Sequence, residues 1–207
     1  MKENDIEKFR EDILKNYKKV GIDEFELSIS NSKVLSVQSR NVKLENIENS
    51  EGSNITLNVF IGKKQATLSA NNIQDLEINS FLEKGKFMAD SSPEDPYCGL
   101  PEMLDYADSL NELDLEDKKP LDKKELQNLA MEAEEKMLNV KGVTNTEGSA
   151  ASTSKTKITF LSSKNFFKTY NKTIHTISSI AIAGKDTNMQ RDYDFSATVH
   201  SEDLKNP

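Results

Sequence analysis

The sequence predicts an α+β fold, with helices packed on antiparallel β-sheets and arranged as two similar helix-plus-meander units. Three observations predict it. Apolar residues recur at helical spacing over residues 6–20, then switch to strict alternation over residues 23–70. A proline-bearing acidic stretch interrupts the chain near its middle. Beyond it a capped amphipathic helix is again followed by strand-like segments. Identity between the halves is weak, so a duplication is a hypothesis that requires the two units to superpose with matching strand order.

The first helix is read from Asn4, a cap residue with Glu7 at the reciprocal position. Ile6, Phe9, Ile13, Tyr17 and Val20 form its apolar face, and Gly21 ends it in the left-handed conformation with Ile22 folding back. Phe25, Leu27 and Ile29 then alternate with polar residues. Asn31-Ser32 reads as a tight turn into Val34–Ser39, and Val42–Ile47 as a further strand broken by the polar run 49–54. Ile55, Leu57, Val59 and Ile61 share one face, Gly62-Lys63-Lys64 is a hairpin loop, and Ala66, Leu68 and Ala70 return. Connections this short make the meander antiparallel. A second helix is expected over residues 73–89, burying Ile73, Leu76, Ser80, Phe87 and Met88, with Gly85 weakening its end.

Residues 91–101 hold three prolines and a glycine, which excludes regular structure there. In the second half Asp122 caps a helix with Glu125 as its reciprocal partner. Leu126, Leu129, Ala130, Ala133, Met137 and Val140 form the face, and Gly142 ends it. Strand-like segments follow at 142–146, 150–161, 166–183 and 189–200. In the third, Ile174, Thr176, Ser178, Ile180 and Ile182 lie opposite His175, Ile177, Ser179 and Ala181, the pattern of a sheet with one half-wet face. The organisation expected is therefore a helix, meander and helix over 1–90, an acidic linker over 91–120, and a helix with long strands over 121–207.

Composition narrows the function. The 207 residues carry 27 basic and 35 acidic side chains, a net charge of −8, with mean hydropathy −0.65. The excess is local, because twelve carboxylates and four lysines fall between Asp90 and Glu125. No basic stripe marks a nucleic-acid surface, and only Arg10, Arg40 and Arg191 could form bidentate phosphate forks. Apolar runs fall far short of the roughly 20 residues that a membrane helix needs. The start, Met1-Lys-Glu-Asn-Asp, lacks the pattern of a secretory signal, and a cytoplasmic location is expected.

A single cysteine excludes an internal disulfide framework and multi-cysteine metal sites. His175 lies mid-strand with no ligand-type residue at metal spacing and reads as structural; His200, near Ser201-Glu202-Asp203, reads as a surface residue. Cys98, beside Gly99 and Pro101, lacks a nearby histidine to activate it and reads as a packing residue. The acidic stretch never forms a calcium loop, and no H-E-x-x-H, G-x-S-x-G or P-loop pattern occurs. No catalytic or metal-ligating residue is assigned, and the substrate-binding residues stay unassigned.

Six strings carry a resemblance: Leu44-Glu-Asn-Ile-Glu48, Thr67-Leu-Ser-Ala-Asn-Asn72, Asp95-Pro-Tyr-Cys-Gly-Leu-Pro101, Leu113-Asp-Leu115, Val143-Thr-Asn-Thr-Glu-Gly148 and Asn188-Met-Gln-Arg-Asp-Tyr193. In this order and spacing the chain resembles the PmbA/TldD family, most nearly its PmbA (TldE) branch, along nearly its whole length. The resemblance implies a cytoplasmic metalloprotease complex of two related subunits that processes or degrades unfolded peptides. The TldD-type subunit would hold the metal, expected to be zinc, in an H-E-x-x-x-H motif. The PmbA-type partner shares the fold without the ligands.

Family proteins continue past the position matching Pro207 into a β-rich C-terminal domain, so the chain is expected to be a fragment or a split-gene product. It would then be the N-terminal, non-catalytic region of such a subunit, needing no cofactor of its own and inactive alone. Its surfaces would wall a chamber and contact a TldD-type subunit, a copy of itself or an unfolded peptide, with no role for nucleic acid or membrane. The alternative is a stand-alone protein-binding or regulatory module, in line with the family's older description as a modulator of DNA gyrase. An independent hydrolase built on Cys98, or on His175 with a carboxylate, is the third reading.

Overall fold

The computed structural model describes residues 3–102, 105–107, 109 and 113–205, and for Glu3 and Asn4 the backbone alone. The elements run α1 (Glu3–Val20), β1 (Glu24–Arg40), β2 (Lys43–Ile61), β3 (Lys64–Ala70), α2 (Ile78–Asp90), α3 (Lys123–Leu138), β4 (Val143–Ser162), β5 (Phe167–Ala183) and β6 (Gln190–Thr198). They form the α+β architecture expected. The strands make one six-stranded sheet in the order β3-β2-β1-β4-β5-β6. Each half of the chain therefore lays its three strands side by side in sequence order.

Two compact units emerge from the contacts, each assembled from three stretches of chain. The first comprises residues 1–31, 52–113 and 157–170; the second comprises 32–51, 114–156 and 171–207. Strands β1, β2, β4 and β5 each supply residues to both. The tip of the β1–β2 hairpin thus belongs with α3, and the tip of the β4–β5 hairpin with α1 and α2.

The first unit is built on apolar burial. Ile6, Phe9 and Ile13 of α1 pack with Phe25, Leu27, Ile29, Ile55, Leu57 and Val59 of the sheet, and with Phe81, Leu82 and Ala89 of α2. Helix α1 ends as its sequence predicts. Gly21 has φ +91°, its N–H bonds to the Lys18 carbonyl, and the Ile22 N–H reaches back to the Tyr17 carbonyl, a complete Schellman motif. The β2–β3 hairpin pairs Ile61 with Lys64 and Leu57 with Leu68.

Helix α2 departs from expectation in start and face. Residues 73–76 form a turn, in which Asn72 accepts the Gln74 N–H; the helix begins at Ile78, capped by Glu77, which accepts from the N–H groups of Asn79 and Ser80. That later start rotates the buried face to Phe81, Leu82, Gly85 and Ala89, leaving Phe87 (73%) and Met88 (37%) exposed and Ser80 in solvent. Gly85 is a packing residue. A β-carbon there would lie 3.0 Å from Leu68 and 3.2 Å from Val59, so the absent side chain lets α2 close onto the strands.

Other boundaries also move. Helix α1 already includes Glu3, so Asn4 stands inside its first turn, with its side chain outside the described residues. Of the acidic run, Asp108 and Glu112 lie outside them as well. Asn31-Ser32 does not turn, because β1 runs unbroken and keeps its alternation through Val37 and Ser39; the Ser32 hydroxyl shares a 2.9 Å hydrogen bond with that of Thr156. The turn lies at Asn41-Val42, both at positive φ (55° and 54°), the type I′ signature. The polar run 49–54 is likewise strand, inside the 19-residue β2.

Helix α3 has the full capping box of Asp122 and Glu125. It ends at Leu138 with Asn139 as cap, short of Gly142, and Val140 is exposed. Strand β4 is continuous through 146–150, where Gly148 (φ +108°) marks an irregularity. Among the described residues no helix is long and apolar enough to cross a membrane.

Candidate functional site

Both candidate sites lie in the second unit. The first begins where Val143–Gly148 and Asn188–Tyr193 meet. The Thr144 hydroxyl donates to the carbonyls of Gly184 (2.7 Å) and Ile182 (3.3 Å), fastening the start of β4 to the end of β5. Arg191 Nε lies 3.0 Å from Glu147 Oε1, an exposed ion pair between the two segments. The Thr146 hydroxyl accepts the Gly148 N–H, and a β-carbon on Gly148 would come within 2.5 Å of the Ser39 carbonyl oxygen. Close backbone approach there demands glycine.

Strand β6 ends the sheet order, pairing with β5 from His175–Thr198 to Ala183–Gln190. Its Tyr193 (64%) and Phe195 (61%) are exposed, and they oppose Ile180 and Ser178 on the half-buried face of β5. Beside β6 runs a groove of about 410 Å³ lined by Ala133, Met137 and Val140 and by Ile177 and Ala181 of β5, with Tyr193 and Phe195 at β6. The strand is also guarded. The Tyr193 and Phe195 N–H groups donate to the carboxylates of Asp192 and Asp194, 2.9 and 2.8 Å away. Charge on an edge strand discourages indiscriminate pairing.

The second site is a buried polar cluster centred on His175, which is fully buried. Nδ1 shares a 2.9 Å hydrogen bond with the Thr153 hydroxyl. Nε2 lies 3.2 Å from Asp117 Oδ2 but off the hydrogen-bonding axis, and has no other partner. Asp117 itself is well held: Oδ2 accepts from the Ser201 N–H and hydroxyl, and Oδ1 from the Lys119 N–H. The Asp117 N–H donates to the Thr173 hydroxyl, which in turn donates to the Val199 carbonyl.

Ser201's N–H, above all, holds the Asp117 carboxyl down at about 2, against the opposing effect of burial. Burial pushes the His175 ring down, outweighing the pull of Asp117. A neutral imidazole, accepting from Thr153 and aiming its Nε2–H toward Asp117, fits both facts. Next door, Glu116 is pulled to about 2, chiefly by Lys155 and then by the Asn171 amide.

The histidine read as lacking sequence neighbours thus has a carboxylate and a hydroxyl from distant segments. The arrangement has the members of a charge-relay triad, and Thr153, His175 and Asp117 are all buried. His200, half-buried, lies 3.3 Å from Asp114. Cys98 sits half-buried in the loop after Pro96, its N–H bonded to the Asp95 carbonyl.

Sequence reasoning missed Asp117 and Glu134. Glu134 is completely buried on α3, accepting from the Ser39 hydroxyl and from the N–H groups of Asn41 and Val42. It thereby fixes the β1–β2 turn. Among the described residues no group of three or more His, Cys, Asp or Glu side chains is placed to hold a metal ion.

Comparison with known proteins gives a consistent family. Residues 110–206 match the family described as the PmbA/TldA metallopeptidase central domain. The Escherichia coli metalloprotease PmbA is 27% identical over 184 residues, and the Haemophilus influenzae metalloprotease PmbA homolog is 20% identical over 183. Each alignment takes in 88% of this chain and 41% of the relative, so the chain spans about two fifths of the length of these proteins. A Bacteroides thetaiotaomicron structure described as a modulator of DNA gyrase has the same fold (TM-score 0.79, 16% identity), covering 97% of this chain and 46% of that one. Thermococcus kodakarensis TldE also shares it (TM-score 0.65, 13% identity), with 95% of this chain and 44% of that one covered.

Proposed function

We propose that this chain, similar to the PmbA-named metalloproteases over 88% of its length and to the PmbA/TldA central domain over residues 110–206, is a non-catalytic region of a PmbA-type subunit of a cytoplasmic metalloprotease complex acting on unfolded peptides. Its part is to supply chamber wall and to contact a TldD-type catalytic subunit or the peptide. The relatives' name implies a metal, with zinc proposed here, and the metal would be held outside the residues of this chain. The observation that carries the reading is the half-covered end of the sheet in the second unit. There an edge strand displays Tyr193 and Phe195 beside the apolar groove along α3. Exposed aromatic side chains next to apolar concavities are the usual raw material of protein interfaces. The paired Asp192 and Asp194 favour a chosen partner over any passing strand.

The test mixes the chain with a TldD-type subunit and an unfolded peptide, with and without a chelator. Chelator-sensitive cleavage that appears only in the mixture, and that weakens with Tyr193→Ser and Phe195→Ser together, is expected. Cleavage by this chain alone would instead point to a hydrolase. Partner binding without cleavage would point to a regulatory module of the kind named in the Bacteroides protein.

A further inference from the structure

The structure assigns to the Asp117–His175 pair a second role: we propose that it is an acid-released clasp, holding segment 114–120 and the turn 199–203 against β5 at neutral pH and loosening that hold when His175 takes up a proton. The geometry places both segments on a single carboxylate. Asp117 reaches the turn through both donors of Ser201, and its own backbone reaches β5 through Thr173, whose N–H donates to the Leu115 carbonyl. The 114–120 segment contains no helix or strand. Its attachment to β5 therefore rests on a few contacts: the Leu115 carbonyl on the Thr173 N–H, the Asp117 N–H on the Thr173 hydroxyl, the Asp117 carboxylate beside His175, and the Glu116 carboxylate on the Asn171 amide.

His175 is the group in this cluster whose charge changes near neutrality. It is fully buried, with one nitrogen satisfied and the other facing a carboxylate that already accepts two hydrogen bonds on that oxygen. An imidazolium needs an acceptor at each nitrogen. Thr153 can serve at Nδ1, but at Nε2 the ring must pull Oδ2 toward itself, away from Ser201. The titratable groups facing it are Asp117 from the 114–120 segment and His200 from the turn after β6, whose positive charge would oppose a second one; Thr153 of β4 is neutral.

The sign follows. A ring that titrates lower in the closed state than in the open one gives a clasp that is fully closed above the free histidine value of about 6.5, and it weakens as the pH falls below it. Each unit of difference corresponds to a tenfold change in the open-to-closed ratio.

The experiment is amide hydrogen exchange on the full chain at pH 7.5 and 5.0, after division by the intrinsic rates. The Lys119 and Ser201 amides are expected to lose several-fold protection at the lower pH, while Phe81 and other α2 amides hold theirs. His200→Gln should leave the effect in place, and His175→Gln should abolish its pH dependence. Unchanged or increased protection at Lys119 and Ser201, loss in step with α2, or disappearance of the effect in His200→Gln would overturn the clasp. Should His175→Gln fail to fold, proton NMR titration of the wild-type His175 ring decides. A midpoint below that of a free histidine supports the clasp, and one above it refutes it.

Discussion

The two units spend their buried volume differently. In the first, a continuous apolar cluster of residues from α1, α2 and four strands fills the interior. In the second, the corresponding apolar cluster is Val37, Leu126, Ala130 and Ala151 with a few half-buried neighbours. Beyond these, Ala133 and Ile177, much of its interior is polar: Ser39, Asp117, Glu134, Thr146, Ser149, Thr153, Thr173 and His175 are buried, and hydroxyl pairs such as Ser149–Ser179 and Ser152–Thr176 cross between strands. An apolar interior is indifferent to pH and sensitive to volume. A polar one is sensitive to proton uptake and to the loss of any single partner.

The largest effect should come from cutting volume in the first unit. Leu82→Ala, at a fully buried position, is expected to cost about 2–5 kcal/mol in urea denaturation, with the loss unchanged between pH 7 and 5. In the second unit Glu134→Ala should cost about 3 kcal/mol by leaving the Asn41 and Val42 N–H groups without their acceptor, while the Ser39 hydroxyl keeps the Ala130 carbonyl. A cost under about 1 kcal/mol would show that water replaces the carboxylate, and the contrast between the units would weaken.

The pH arm comes next. Asp117, at about 2 against an ordinary 3.8, contributes on the order of 2 kcal/mol that is present above pH 4 and lost as the pH falls through 2. Asp117→Asn should therefore lie below wild type at pH 7, with the gap closing as the pH falls from 4 to 2 in acid denaturation curves. Gly85→Ala sets a helix-propensity gain against a β-carbon 3.0 Å from Leu68, for a net loss of about 1 kcal/mol. The smallest effect belongs to the exposed Lys33–Glu51 pair of the β1–β2 hairpin, where Lys33→Ala should leave the urea midpoint essentially where it is.

The same contrast explains what could be read from the sequence. Periodicity reports apolar faces, so α1 with its Schellman end, the Phe25/Leu27/Ile29 face and the β2–β3 hairpin were all legible. So was the capping box of α3, which is a local pattern. Glu134 was not, because a glutamate on a helix reads as solvent-facing, and its partners Ser39, Asn41 and Val42 come from far along the chain. The true β1–β2 turn was hidden for a related reason: valine at positive φ is the opposite of a turn signal, whereas Asn31-Ser32 looks like one. For His175, its place in mid-strand was legible, but its partner Asp117 was not, because the approach depends on the fold of an otherwise irregular segment. The exposed Phe87 and Met88 were misplaced because the helix start was read five residues early, turning every later side chain with it.

Val42 at φ 54° under the Glu134 carboxylate has an evolutionary consequence. A β-branched residue holds that backbone conformation only while something external compensates for the strain. Glycine at 42 would adopt it freely and release Glu134 from its duty. The two positions should therefore vary together among descendants of this sequence: acid opposite valine, and a neutral or apolar residue wherever glycine takes the turn.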